Sequence, residues 1–174
     1  MGIINDVMSI LKEISFGYYH FEMGALFRTS KLLNGILFNT EVLFSITEKH
    51  ILQLEDCDKY LMRSLFNAEM GTPIESFFIE TSSIPIRFIL KGKRIMYYWD
   101  LLRKGGHELV KRVFEASKEF KVTTDWVSQV EDDLSSCDIN LSEEEIAKMS
   151  RWKFKKLVQR RIKEQSETYL TELQ

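Results

Sequence analysis

The sequence predicts an all-α protein, a bundle of roughly seven to nine helices with room for two small subdomains. Three observations lead there. Apolar residues recur at helical spacing along most of the chain, two segments carry the Ser/Thr-x-x-Glu signature of a helix start, and only 2 Pro and 8 Gly interrupt 174 residues. The β-branched residues are scattered rather than gathered into short alternating runs, so no sheet is expected. A chain of this length can bury a real core. Its 44% hydrophobic and 29% charged residues, with 12 Phe, 6 Tyr and 3 Trp, make a globular composition, not a disordered one.

The elements follow in order. Residues 3–15 read as an amphipathic helix with Ile3, Val7, Ile10, Leu11 and Ile14 on one side, and Gly17 with two aromatics then breaks the pattern. A second helix from about His20 to Phe38 is apolar over much of its circumference through Phe21, Ala25, Leu26, Leu32, Leu33, Ile36 and Leu37. Such a helix is normally buried, although Gly24 and Gly35 argue against its continuity. Thr47 caps a third helix reaching about Ala68, with Ile51, Leu54, Leu61 and Leu65 at helical spacing and Gly71 ending it.

Thr72-Pro73-Ile74-Glu75 combines a capping Thr, Pro at the first helical position and Glu at the third, so a short helix starts there and stops near Thr81. Ser83 and Pro85 open the next, which runs to Lys104 before Gly105-Gly106 closes it. Shorter helices are expected over 108–119 and 124–135, the latter capped by Thr124. Ser142-Glu143-Glu144-Glu145 is a second capping box for a brief helix to Met149, and 151–172 forms a long terminal helix. The internal boundary is placed in the Gly71–Ser83 stretch.

Composition bounds the setting. Cys57 and Cys137 lie eighty positions apart without metal-ligand spacing; a lone disulfide or two free thiols would fit, and the spacing favours free thiols in a reducing compartment. The amino terminus lacks the basic start and cleavage site of a signal peptide. No uncharged apolar run approaches the ~20 residues that span a bilayer. Gly2 is followed by Asp6 where myristoylation wants Ser or Thr. The expectation is an intracellular protein, nuclear or cytoplasmic, with no membrane partner.

No catalytic set is present. His20, His50 and His107 are isolated, without HExxH or a nearby cysteine pair, and read as ordinary surface or core histidines. There is no GxSxG elbow and no phosphate loop, since Lys91-Gly92-Lys93 falls inside a helix. Asp133 to Glu144 has the length of a calcium loop, but Asp138 stands where Gly is required, with Ser135 and Cys137 at ligand positions. No metal, cofactor or catalytic residue is therefore expected.

Net charge is only −2, but the charges are separated. From Val122 to Ala147 there is no Lys or Arg; from Ala147 to Lys163 there is no acid. On a helix turning about 100° per residue, Phe154, Val158, Ile162, Tyr169 and Leu173 share one face of the terminal helix, and Lys153, Lys156, Arg160 and Lys163 the opposite one. Arg87, Lys91 and Arg94 repeat the pattern opposite Phe88, Ile95 and Trp99. Such stripes are either solvated faces or phosphate contacts. No aromatics are interleaved with them as a base-stacking surface would want.

Several segments add a resemblance. Glu13-Ile14-Ser15-Phe16-Gly17, Leu26-Phe27-Arg28-Thr29-Ser30 and Leu33-Asn34-Gly35-Ile36-Leu37 with Glu41 come first. Leu54-Glu55, Asp58, Leu61-Met62-Arg63 and Thr72-Pro73 with Glu75 follow, then Ile84-Pro85-Ile86-Arg87-Phe88-Ile89 with Arg94, and more loosely Asp125-Trp126-Val127 and Lys155-Lys156-Leu157-Val158. Together they resemble the region downstream of the palm in LINE-type (non-LTR) retrotransposon reverse transcriptases of animals.

The resemblance implies that residues 1–71 correspond to a polymerase thumb and 72–174 to the helical extension after it. Such a region grips the primer–template duplex without catalysis, so the implied partners are an RNA or DNA backbone and the palm of a parent polymerase. The family's catalytic carboxylates would lie upstream in an aromatic-x-Asp-Asp turn, for which Val130-Glu131-Asp132-Asp133 is no substitute. Glu41 is followed by Val42-Leu43-Phe44 where the family often has Trp, and there is no zinc knuckle or nuclease motif. The rival expectation is a protein-interaction or dimerisation module that buries a partner or a second copy with its Phe-rich helices.

Overall fold

A computed structural model of the chain describes residues 20–42, 46–69, 71–104, 108–120 and 126–173. Among the described residues every regular element is helical. They are α1 (His20–Phe27), a π-helical turn (Arg28–Leu32), α2 (Leu33–Ile36), a 3₁₀ turn (Thr40–Val42), α3 (Glu48–Leu65), α4 (Ile74–Glu80), α5 (Ile86–Arg103), α6 (Leu109–Phe120), α7 (Trp126–Ser136), α8 (Glu143–Lys148) and α9 (Arg151–Glu172). Phe27 and Leu33 keep right-handed helical backbone on either side of the π turn, so α1, the turn and α2 form one rod. Counted so, there are eight helices among the described residues, and the fold is the expected all-α bundle. The helix read over 3–15, the cap at Thr124 and the Gly105-Gly106 terminator lie outside the described residues.

Two compact units can be separated. The described residues of the first fall within 20–38, 48–86 and 170–173, and those of the second within 39–47 and 87–169. The first unit is organised around Arg28, the largest fully buried side chain in it. The π turn closes with the Leu33 amide donating to the Arg28 carbonyl. The guanidinium donates from Nε to Asp58 Oδ1 of α3 at 2.8 Å and from Nη2 to Asp58 Oδ2, and Nη2 also reaches the Ile84 carbonyl at 3.1 Å. It lies 5.3 Å from the centroid of Phe78 on α4. One buried cation thus ties together the π turn, α3, α4 and the segment before α5.

Gly24 belongs to this packing rather than to a break. A Cβ there would stand 2.7 Å from Phe66 Cε1, and that ring is itself stacked on Phe77 with centroids 5.2 Å apart. The glycine lets the rod approach, and the helix continues through it because tertiary packing outweighs propensity.

The ends of the helices differ from the sequence expectation in an instructive way. α3 stops at Leu65, before Ala68 and Gly71. Asn67 takes φ 49°, the Asn67 amide bonds to Ser64 and the Ala68 amide to Arg63, a Schellman closure without glycine. Ser82 closes α4 and Asp138 closes α7 in the same manner, at φ 49° and 54°. A glycine search is blind to all three. The capping box expected at Thr72 is not formed either: Pro73 occupies the cap position and no side chain caps α4. At Ser142 the box is complete, with Glu145 returning to the Ser142 amide. Pro85 directly precedes α5, so 74–104 is two helices separated by a five-residue connection, as its placement predicted.

Gly24→Ala should lower stability by about 1–3 kcal/mol, because overpacking against a stacked ring exceeds the gain in helix propensity. Urea denaturation measures it; an unchanged or raised midpoint would mean that Phe66 moves aside freely.

Candidate nucleic-acid interface

The terminal helix α9 is positioned by what it buries. Phe154, Val158, Ile162, Ser166 and Leu170 are all buried, a stripe stepping by four residues. Tyr169 is half-buried, and Leu173, expected on this face, is exposed. The stripe advances about 40° with each step of four, so by its last turn Leu170 has replaced the position a fixed wheel assigns to Leu173. Within the second unit, Gly92 of α5 leaves Ile162 and Val158 in ordinary contact distance, and the Phe88 and Tyr169 rings meet edge-on at 5.4 Å.

The turn entering α9 is also pinned. Trp99 Nε1 donates to the Met149 carbonyl at 3.1 Å, with Arg103 stacked on the indole at 4.8 Å. Glu143, the first residue of α8, accepts from the Tyr98 hydroxyl at 2.8 Å and from Lys118 Nζ at 2.7 Å. Burial raises the Glu143 carboxyl, but the Lys118 and Tyr98 donors outweigh it and leave it below the usual value. Burial and the neighbouring Glu143 together push the Tyr98 phenol up.

With the stripe inward, the opposite side of α9 faces water. Lys153, Lys156, Arg160 and Lys163 are all exposed there, as the wheel predicted. Arg160 approaches Glu164 at 3.9 Å and Lys163 approaches Glu167 at 3.7 Å, both exposed pairs. Pairs of that kind contribute about 0–1 kcal/mol, so an incoming phosphate displaces them at little cost. Lys153 and Lys155 have no carboxylate at ion-pair distance among the described residues, and neither does Lys156, whose ammonium lies 4.0 Å from the centroid of the Trp152 ring.

The other predicted stripe is differently placed. Arg94 is buried, its Nε donating to Asp133 Oδ2 at 2.7 Å. Burial pushes the Asp133 carboxyl up while Arg94 pulls it down. Lys91 donates to Ser136 Oγ at 3.0 Å and Gln165 Oε1 at 3.5 Å, and Arg87 lies over the Tyr169 ring at 5.5 Å. These three cations face α7 and α9. Arg94 in particular is enclosed by protein and is not open to a phosphate, so the wheel grouped residues whose work is internal.

Sequence reasoning also passed over Trp152, which is 64% exposed. It was legible: four residues before Lys156, it falls on the basic side of the wheel. The acids of the rejected calcium loop are engaged elsewhere, Asp133 by Arg94, Asp138 by Arg161 at 3.4 Å and Glu144 by Lys148 at 3.6 Å. Among the described residues no cluster of three or more His, Cys, Asp or Glu is arranged to hold a metal, and no helix is long and apolar enough to cross a membrane. Cys57 and Cys137 are free thiols. No protein-family model matches the chain, and no curated protein or solved structure is significantly similar to it.

Glu143 supplies a pH test. Its carboxyl is depressed in the fold, so the stability it contributes is present above the ordinary value of 4.5 and lost as pH falls through the lower folded value. Glu143→Gln should destabilise at neutral pH by less than about 1 kcal/mol, because the carboxylate is partly exposed. The gap should close in acid. Denaturant curves from neutral pH into acid check this; a gap that stays constant would mean the charge plays no part.

Proposed function

We propose that the chain is a non-catalytic, nucleic-acid-gripping part of a retroelement reverse transcriptase, with 1–71 as its thumb-like bundle and 72–174 as its helical extension. The observation that carries the gripping function is the exposed basic face of α9. Lys153, Lys156, Arg160 and Lys163 lie along one side of a rigid helix, and Lys153 and Lys163 are separated by about 15 Å at 1.5 Å rise per residue. A row of cations on that scale suits successive backbone phosphates and reads no sequence.

The assignment to a retroelement polymerase rests on the resemblance. Its motif pieces are distant in sequence yet meet in pairs. Arg28 bonds Asp58 and the Ile84 carbonyl in the first unit, and Trp126 Nε1 donates to the Glu41 carbonyl at 2.8 Å in the second. Within each unit these pieces pack together.

A second reading has its own observation. Leu109, Val110 and Val113 of α6 are exposed and border a cavity of about 260 Å³ lined also by Tyr97, Phe114 and Trp126. An apolar surface of this kind suits a protein partner, and a second copy of the chain is the simplest one.

Replacing Lys153, Lys156, Arg160 and Lys163 together by Gln separates the two. Fluorescence anisotropy with an RNA–DNA duplex should show weaker binding, and the log–log salt slope should shrink by up to roughly 3–4 units. If the unaltered protein is a dimer with no salt-dependent binding to RNA or DNA, the interaction module is the better account.

A further inference from the structure

The tryptophans of this chain are unequal. Trp99 and Trp126 are 6% and 5% exposed, each with its indole N–H donating to a backbone carbonyl, whereas Trp152 is 64% exposed. Trp152 sits on α9 four residues before Lys156, whose ammonium stacks on the ring at 4.0 Å. Arg151, Lys153 and Lys155, close to it in sequence, are exposed as well. With Lys156 held against its ring, Trp152 is still 64% exposed.

That combination is chemically specific. A flat, exposed π surface with a cation beside it matches a nucleobase, which stacks, attached to a phosphate, which pairs with the cation. A duplex hides its base faces inside its own stack, so it could use the cations but not the ring. An unpaired nucleotide uses both. We infer that Trp152 is a stacking platform for an unpaired base, so that the start of α9 binds single-stranded nucleic acid while Arg160 and Lys163 follow the backbone beyond it. The inference rests on the phosphate-contact reading of α9 and adds the strand state of the ligand.

Because the other two tryptophans are buried, quenching of the intrinsic fluorescence reports chiefly on Trp152. The full chain is titrated with oligo(dT) and oligo(rU), which share the stacking chemistry and separate DNA from RNA, and with a blunt duplex as control. Single strands should quench the emission. Trp152→Ala should weaken single-strand binding between about 5-fold and 150-fold without altering the salt slope, leave duplex binding unchanged, and be largely rescued by Trp152→Phe.

If Trp152→Ala binds single strands as tightly as the unaltered chain while the four-Gln variant loses binding, the stacking site is wrong and the backbone face stands. Absence of binding to any nucleic acid by the unaltered chain would remove both. A blue shift on mixed phosphatidylserine and phosphatidylcholine vesicles, with no quenching by either oligonucleotide, would make Trp152 an interfacial anchor and overturn the proposal.

Discussion

The burial of one side of α9 is the constraint from which the proposed nucleic-acid surface follows. A helix with a single apolar stripe has one stable rotation about its axis, the one that takes Phe154, Val158 and Ile162 out of water. At about 0.8 kcal/mol per buried methylene, turning the helix even one residue would forfeit several kcal/mol. No exposed ion pair on the other side can oppose a term of that size. The basic face is therefore displayed because the apolar face is buried, and its orientation needs no further device.

The first unit depends on a different kind of interaction. Arg28 is enclosed and bonded to Asp58 on both carboxylate oxygens, with a third bond to the Ile84 carbonyl. Removing one member of such a pair leaves an uncompensated buried charge, which costs about 3–5 kcal/mol. The contribution is one of specification more than of net stability: only one register of the π turn against α3 makes all three bonds. Arg94 with Asp133 has a similar part in the second unit, which explains why a cation that looks like ligand-binding residue on a wheel is unavailable to ligands.

Much of this was legible because the signals are local. Helical periodicity, the Ser142 capping box, Pro85 and the two sides of α9 are all written within a few residues of where they act. Two of the failures, at Gly24 and Arg94, come from partners far away in sequence. Gly24 reads as a helix weakener until Phe66 is opposite it, and Arg94 reads as exposed until Asp133 is beside it. The closures at Asn67, Ser82 and Asp138 were hidden because they use left-handed non-glycine residues. Trp152 was hidden by habit alone, since an aromatic in a helix is usually assigned to the core.

The chain also holds an internal control for its basic face. α8 begins Ser142-x-x-Glu145, and both reciprocal bonds of the capping box form. α9 begins Ser150-x-x-Lys153, where the Ser150 hydroxyl accepts from the Lys153 amide at 3.4 Å but a lysine stands in place of the returning acid. No acid occupies the first turn of α9, although the helix dipole favours one there and disfavours cations. Lys153 thus stands where its own helix favours an acid, which agrees with the proposed phosphate contact. The direct measurement is the stability and RNA–DNA duplex affinity of Lys153→Glu, side by side. Completing the box should raise stability by about 0.5–1.5 kcal/mol while binding weakens. A variant that is less stable, or that binds duplex as well as the unaltered chain, would contradict the account.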